Sequence, residues 1–148
     1  MKLSTKGRYG LRAMVDIAGN GADGAVSISS IAQRQNLSES YLEQLMSLLR
    51  RAGIIESVRG AGGGYRLARA PEEISVGEIL RALEGDLNPV ECSALLRAGE
   101  PCAAEDTCVT KYVWQRISQS INQTVDEILL SDLLKEGSAC TAQRLCES

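Results

Sequence analysis

Residues 27–55, SISSIAQRQNLSESYLEQLMSLLRRAGII, decide the fold. Ser29 or Ser30 can cap a short helix, and Asn36-Leu37-Ser38 breaks it. Ser38 then caps a second helix, because a serine hydroxyl accepts a hydrogen bond from an amide the first turn leaves unpartnered. Tyr41, Leu42, Leu45, Leu48 and Leu49 recur at helical spacing and give that helix one apolar face. Gly53 ends it, as a residue that tolerates the left-handed conformation. Two short helices joined by a tight break are the footprint of a helix-turn-helix.

The flanking residues extend this unit in both directions. IIESVRG (54–60) reads as a strand, GAGGG (60–64) as a turn demanding positive backbone dihedrals, and YRLAR (65–69) as a returning strand closed by Pro71. A hairpin directly after the second helix makes a winged helix. Upstream, Leu11, Met14, Val15, Ile17 and Ala18 mark a first helix that GNGADG (19–24) stops. Downstream, SVGE (75–78) is a capping box opening a helix through Ile79, Leu80 and Leu83 to Gly85. From Val109, a stripe of Val113, Trp114, Ile117, Ile121, Val125, Ile128 and Leu129 predicts a long amphipathic helix. So short a chain offers little to cover that stripe, so a second copy is the expected lid and the protein a homodimer. The alternative is that the stripe folds back on its own winged helix.

The expected fold is therefore mainly α with a small β-hairpin wing. A winged helix-turn-helix spans residues 1–85, a cysteine-bearing loop 86–108, a dimerisation helix region 109–136 and a C-terminal tail 137–148.

At 148 residues the chain fits one domain with an appendage, or two small lobes. No apolar run reaches the roughly 18 residues of a membrane span. The start MKLSTKGRYG lacks the apolar stretch of a secretion signal, so the expected location is the cytoplasm, away from membranes. The net charge of −3 divides unevenly: residues 1–70 carry ten Lys/Arg against five Asp/Glu (+5), and residues 71–148 six against fourteen (−8). The basic half is the one suited to a polyanion, although such a face can equally be solvated.

Double-stranded DNA is the expected partner. Ser38, Ser40, Tyr41 and Gln44 lie near the head of the second helix, where a recognition helix meets bases and phosphates. Gln44 can pair bidentately with adenine, and Glu43 can accept from the cytosine amino group while repelling phosphates. The wing tip VRGAGGGY (58–65) offers Arg59, beside Gly60, to a minor groove. Arg8, Arg12, Arg50 and Arg51 supply phosphate contacts. Winged helices also serve as protein-interaction modules, and the pattern alone does not separate the two roles. Catalysis is poorly provided for: the chain has no histidine to act as base to a Ser or Cys nucleophile, and GAGGGY lacks the Gly-Lys-Ser/Thr ending of a phosphate-binding loop.

Cys92, Cys102 and Cys108 stand in ECSALLRAGEPCAAEDTC (91–108), among Glu91, Glu100, Glu105 and Asp106 rather than on an apolar stripe. With Cys140 and Cys146 the count is five, an odd number that suits metal or redox chemistry better than a disulfide framework. Structural zinc prefers paired C-x-x-C knuckles, which are absent, whereas iron–sulfur clusters accept wider spacings. On spacing alone an iron–sulfur cluster ranks above zinc, with a redox thiol pair third.

Three stretches, LSTKGRYGLRAM (3–14), SIAQRQNLSESYLEQLMSLLRRAGIIESVRGAGGGYRL (30–67) and ISVGEILRALEG (74–85), resemble the Rrf-two superfamily of bacterial winged-helix regulators, with similarity running to ILLSDLL (128–134). The resemblance implies homodimers joined through the long helix, and DNA contacts at Ser38, Ser40, Tyr41, Glu43, Gln44 and Arg59. Within the superfamily, the cysteine triad resembles the IscR family, which implies a 2Fe–2S cluster held by Cys92, Cys102 and Cys108 and control of cluster-assembly genes. The N-terminal lobe is equally similar to the CymR family of cysteine-metabolism repressors, which lacks the triad and implies a partner protein instead. A zinc-stabilised interaction module is a further alternative. Lys111 stands where proteobacterial IscR proteins place a histidine ligand, and Arg8 where nitric-oxide sensors of the superfamily place an aspartate. The fourth ligand is thus unassigned, with Cys140, Cys146, Glu105, Asp106 or a non-protein molecule as candidates.

Overall fold

The structure is a computed structural model that describes residues 3–22, 24–91 and 107–147, with side chains as far as residue 138. Helix α1 (Thr5–Asn20) begins at Ser4, whose hydroxyl accepts from the Lys6 amide. Helix α2 (Ile28–Gln35) is capped by Ser27, not by Ser29 or Ser30 as the sequence suggested. The reason is tertiary: Val26 is held extended by reciprocal 2.8 Å hydrogen bonds with Tyr65, so the chain can turn into a helix only at the next residue. Ser27 Oγ then accepts from the Ser30 amide at 3.2 Å. Asn36 closes α2 in the left-handed conformation, φ 54°. Helix α3 (Glu39–Arg51) is capped by Ser38 as expected, and Gly53 follows it at φ 75°.

Strands β1 (Ile55–Val58) and β2 (Gly64–Leu67) pair antiparallel, Ile55 opposite Leu67 and Val58 opposite Gly64. The Gly63 amide closes their turn on the Gly60 carbonyl at 3.0 Å. Gly60 has φ 109° and Gly64 φ 154°. At Gly64 a second constraint applies, since a Cβ there would run into the Val26 carbonyl. This glycine lets the Val26 bridge lie against the wing.

Helix α4 (Val76–Glu84) opens with the expected capping box: Ser75 Oγ accepts from the Glu78 amide at 3.1 Å, and Glu78 Oε2 accepts from the Ser75 amide at 3.0 Å. It packs along α1, where Gly10 leaves room for Leu83. Glu84 Oε1 at its end accepts from the Ser4 amide (3.0 Å), the Ser4 hydroxyl (2.6 Å) and the Gly7 amide (2.8 Å). A carboxylate so placed satisfies orphan donors of the α1 N-terminus and favours its positive dipole end.

The main core joins Met14 and Ile17 of α1, Ile31 of α2, Leu42, Leu45, Met46 and Leu49 of α3, Ile55 of β1 and Ile79 of α4. It also contains Leu130, the first residue of α6 (Leu130–Glu147). Helix α5 (Lys111–Glu127) divides its apolar stripe. Ile121, Val125 and Ile128 fold back on Val76, Leu80 and Leu87. Tyr112, Val113 and Ile117 stay 65%, 50% and 39% exposed. Helix α6 continues as regular backbone as far as Glu147. Among the described residues no helix is long and apolar enough to cross a membrane.

Candidate nucleic-acid interface

The buried side chains of α3 fix its rotation. With Leu42, Leu45, Met46 and Leu49 inward, Glu39, Ser40, Glu43, Gln44, Arg50 and Arg51 face solvent, and Ser38 is exposed at the head of the helix. Ser38, Ser40, Glu43 and Gln44 therefore lie on one accessible face. Tyr41 has a different situation. Its ring is half-buried and meets Tyr9 edge-on at 6.2 Å and 87°, and its hydroxyl donates to Thr5 Oγ1 at 3.1 Å. Tyr41 thus fastens α3 to α1. Arg50 reaches Ser57 Oγ at 3.4 Å, tying the end of α3 to β1, and Arg59 and Gly60 are exposed on the wing.

Behind α3, α1 carries a polar network. Arg8 and Arg12 lie over the Tyr9 ring at 6.0 and 5.5 Å, within cation–π range. Arg12 Nε donates to Gln35 Oε1 at 3.0 Å, and Gln35 Nε2 donates to Asp16 Oδ2 at 2.9 Å. Asp16 is buried and also accepts from Arg34 through Nε (2.9 Å) and Nη2 (2.6 Å). The Arg34 guanidinium is accordingly held above its ordinary range by the hydrogen bond to Asp16, against the opposing effect of burial. The sequence reading passed over Asp16. Its signal was an acidic residue between Met14 and Ile17 on an otherwise apolar helix face. On the side toward α6, Arg8 and Arg12 rim a groove of about 920 Å³ floored by Leu11, Val15, Leu133 and Leu134.

Of the three cysteines proposed as ligands, Cys92 and Cys102 lie outside the described residues, as do the side chains of Cys140 and Cys146. Cys108 lies three residues before the start of α5, with Sγ 3.1 Å from Thr110 Oγ1. Hydrogen bonds from the Thr110 hydroxyl and the Lys111 amide hold its thiol below the ordinary range, which favours thiolate. Lys111 is the first residue of α5, its ammonium 5.5 Å from the Tyr112 ring. Among the described residues no three Cys, Asp or Glu side chains gather in a way that could hold a metal ion.

A capped helix with an exposed polar face, followed by a glycine-turned hairpin and backed by arginines on α1, has the geometry of winged helices that dock on DNA, and the family match places the chain among regulators of transcription. The chain belongs to the Rrf2 family, described as iron-dependent transcriptional regulators, whose model matches residues 3–136. It is 47% identical over 133 residues to the regulator CymR of Bacillus subtilis, covering 90% of this chain and 89% of that protein. It is 42% identical over 134 residues to the regulator IscR of Aliivibrio salmonicida, covering 90% and 77%. Among solved structures, CymR of B. subtilis superposes with a TM-score of 0.73 at 45% identity, covering 92% of this chain and 98% of that one. The structure of T. potens IscR gives the same TM-score of 0.73 at 47% identity, covering 93% and 88%. These relatives carry the names of transcription regulators, not of enzymes.

Proposed function

We propose that the chain is a homodimeric, cytoplasmic regulator whose DNA affinity or site choice depends on a 2Fe–2S cluster held by Cys92, Cys102 and Cys108, and that it controls cluster-assembly genes. The cysteine triad carries this reading. Three thiols stand in a polar segment of a histidine-free chain, and the one inside the described residues, Cys108, is partly exposed at the foot of α5 with neighbours that favour thiolate. That donor chemistry fits iron, since thiolates are the usual ligands of such clusters. When bound, the cluster would supply a centre sensitive to oxidation and to iron supply.

The protein's own residues provide the path from that segment to DNA. The segment joins α4 to α5, and α5 is fastened to α4 by Arg81, which donates to Asp126 Oδ1 (2.7 Å), Asp126 Oδ2 (2.9 Å) and Asn122 Oδ1 (2.6 Å). In a dimer built on the exposed face of Tyr112, Val113 and Ile117, the angle between α4 and α5 sets the separation of the two recognition helices. Ser38, Ser40, Tyr41, Glu43, Gln44, Arg59 and Gly60 are the residues we assign to DNA contact.

The test compares oxygen-free protein with the Cys92→Ala/Cys102→Ala/Cys108→Ala variant on a duplex enriched by the wild-type protein from a random library. The reading expects a change in affinity or footprint; equal binding by both would remove it. The similar identity to CymR and to IscR supports a second reading, a CymR-like regulator of sulfur metabolism that acts through a partner protein. It predicts DNA binding indifferent to cysteine replacement. A zinc-stabilised interaction module predicts unfolding on chelation and no specific footprint.

A further inference from the structure

We infer that Gln35 is a positioning residue for DNA binding, acting through Arg12 rather than by touching DNA; the inference rests on the DNA-binding reading above. Gln35 is the last residue of α2, one position before the left-handed Asn36 that turns the chain toward α3. Its side chain bridges two groups of opposite charge on α1. The amide nitrogen donates to buried Asp16 at 2.9 Å, and the amide oxygen accepts from Arg12 Nε at 3.0 Å.

Only a side chain that both donates and accepts can do this. A glutamate here would set a second carboxylate against Asp16, and a methionine would satisfy neither neighbour. Arg12 also lies over Tyr9, which meets Tyr41 at the head of α3. A continuous series of contacts therefore runs from Asp16 through Gln35, Arg12 and Tyr9 to Tyr41. Arg12 Nη2 also donates to the Gln35 carbonyl, at a longer 3.4 Å, while the guanidinium stays exposed and, among the described residues, its Nη1 makes no hydrogen bond. An arginine pre-ordered in this way sacrifices little side-chain freedom when it meets a phosphate, so Gln35 should set how strongly Arg12 contributes.

The experiment is a double-mutant cycle of Gln35→Met and Arg12→Gln in the full-length protein. Binding is measured against salt concentration on two probes, the library-enriched duplex and a random 30-base-pair duplex. Circular dichroism and thermal melting check that each variant is folded. Gln35→Met frees Arg12 from its docked position and is expected to weaken binding to both probes several-fold and to lower the salt slope by up to about one, the slope that a single arginine–phosphate interaction carries. In the Arg12→Gln background it is expected to add nothing. A wild-type slope in Gln35→Met, or an equal weakening with and without Arg12, would overturn the inference while leaving DNA binding intact. Failure of the wild-type protein to enrich or bind any duplex would instead overturn the reading on which it rests. A merely structural role would lower the melting temperature without changing the slope.

Discussion

The Leu130 amide donates to the Ile74 carbonyl at 2.9 Å, and close by the Val76 amide donates to the Ile128 carbonyl at 2.8 Å. This short seam inserts the start of α6 into the winged helix, where Leu130 is 0% exposed among α1, α3 and α4 residues. Leu130→Ala should therefore cost about 2–5 kcal/mol, the usual range for a fully buried leucine. Urea denaturation followed by both helix content and Trp114 fluorescence is expected to show one shifted, shared transition. Separate transitions would mean that the winged helix folds without its C-terminal body.

Gly64 and Gly62 make a contrasting pair on the wing. Gly64 has φ 154° and faces the Val26 carbonyl, whereas nothing lies within 4 Å of a Cβ placed on Gly62. Gly64→Ala is expected to destabilise by about 1–3 kcal/mol and to free the wing from Val26. Gly62→Ala should stay within about 0.5 kcal/mol of wild type. Equal effects in chemical denaturation would contradict the role given to the Val26 bridge.

The hydrogen bond from Arg81, with its charge, holds the Asp126 carboxyl below its ordinary value of 3.8 in spite of some desolvation. A carboxyl depressed in the folded state stabilises above its unfolded value, and that contribution fades as pH falls through the folded one. Both side chains are partly exposed, 35% and 47%, so the contribution is expected to stay below about 1 kcal/mol. The stability difference between wild type and Asp126→Asn should be level from neutral pH to about pH 5, and should shrink below the unfolded carboxylate value. Asp126 also lies against Gly77, where an added Cβ would run into its carboxylate, and a difference that persists at about pH 2 would point to that packing instead.

Arg59 is exposed beside the wing turn and, among the described residues, makes no ion pair like those of Arg34 and Arg81. Arg59→Ala should leave the melting temperature unchanged while weakening specific DNA binding by about 1–3 kcal/mol. An unaltered footprint and affinity would show that the wing points away from the duplex.

Local chemistry was legible in the sequence wherever one residue decides a conformation. Ser38 as a cap, the Ser75–Glu78 box and the positive dihedrals at Gly60 and Gly64 all follow from residues acting on their own backbone. Long-range partners were not. Ser27 displaced Ser29 and Ser30 because Tyr65, far along the chain, holds Val26 extended. The division of the α5 stripe depends on where Val76, Leu80 and Leu87 come to rest, which periodicity alone cannot encode. The exposed face of α3 was readable from its apolar spacing. The clasp of Tyr41 on Thr5 and Tyr9 was not, nor was the Asp16 network, because their members lie 18 to 36 residues apart.

The visible absorption spectrum, with iron and sulfide content, of protein purified without oxygen decides whether Cys92, Cys102 and Cys108 hold a cluster. A cluster held by the triad gives a red-brown protein with iron and sulfide each at about two per chain, and the colour disappears when Cys92, Cys102 and Cys108 are replaced by alanine. A protein that stays colourless after reconstitution with iron and sulfide would contradict that assignment.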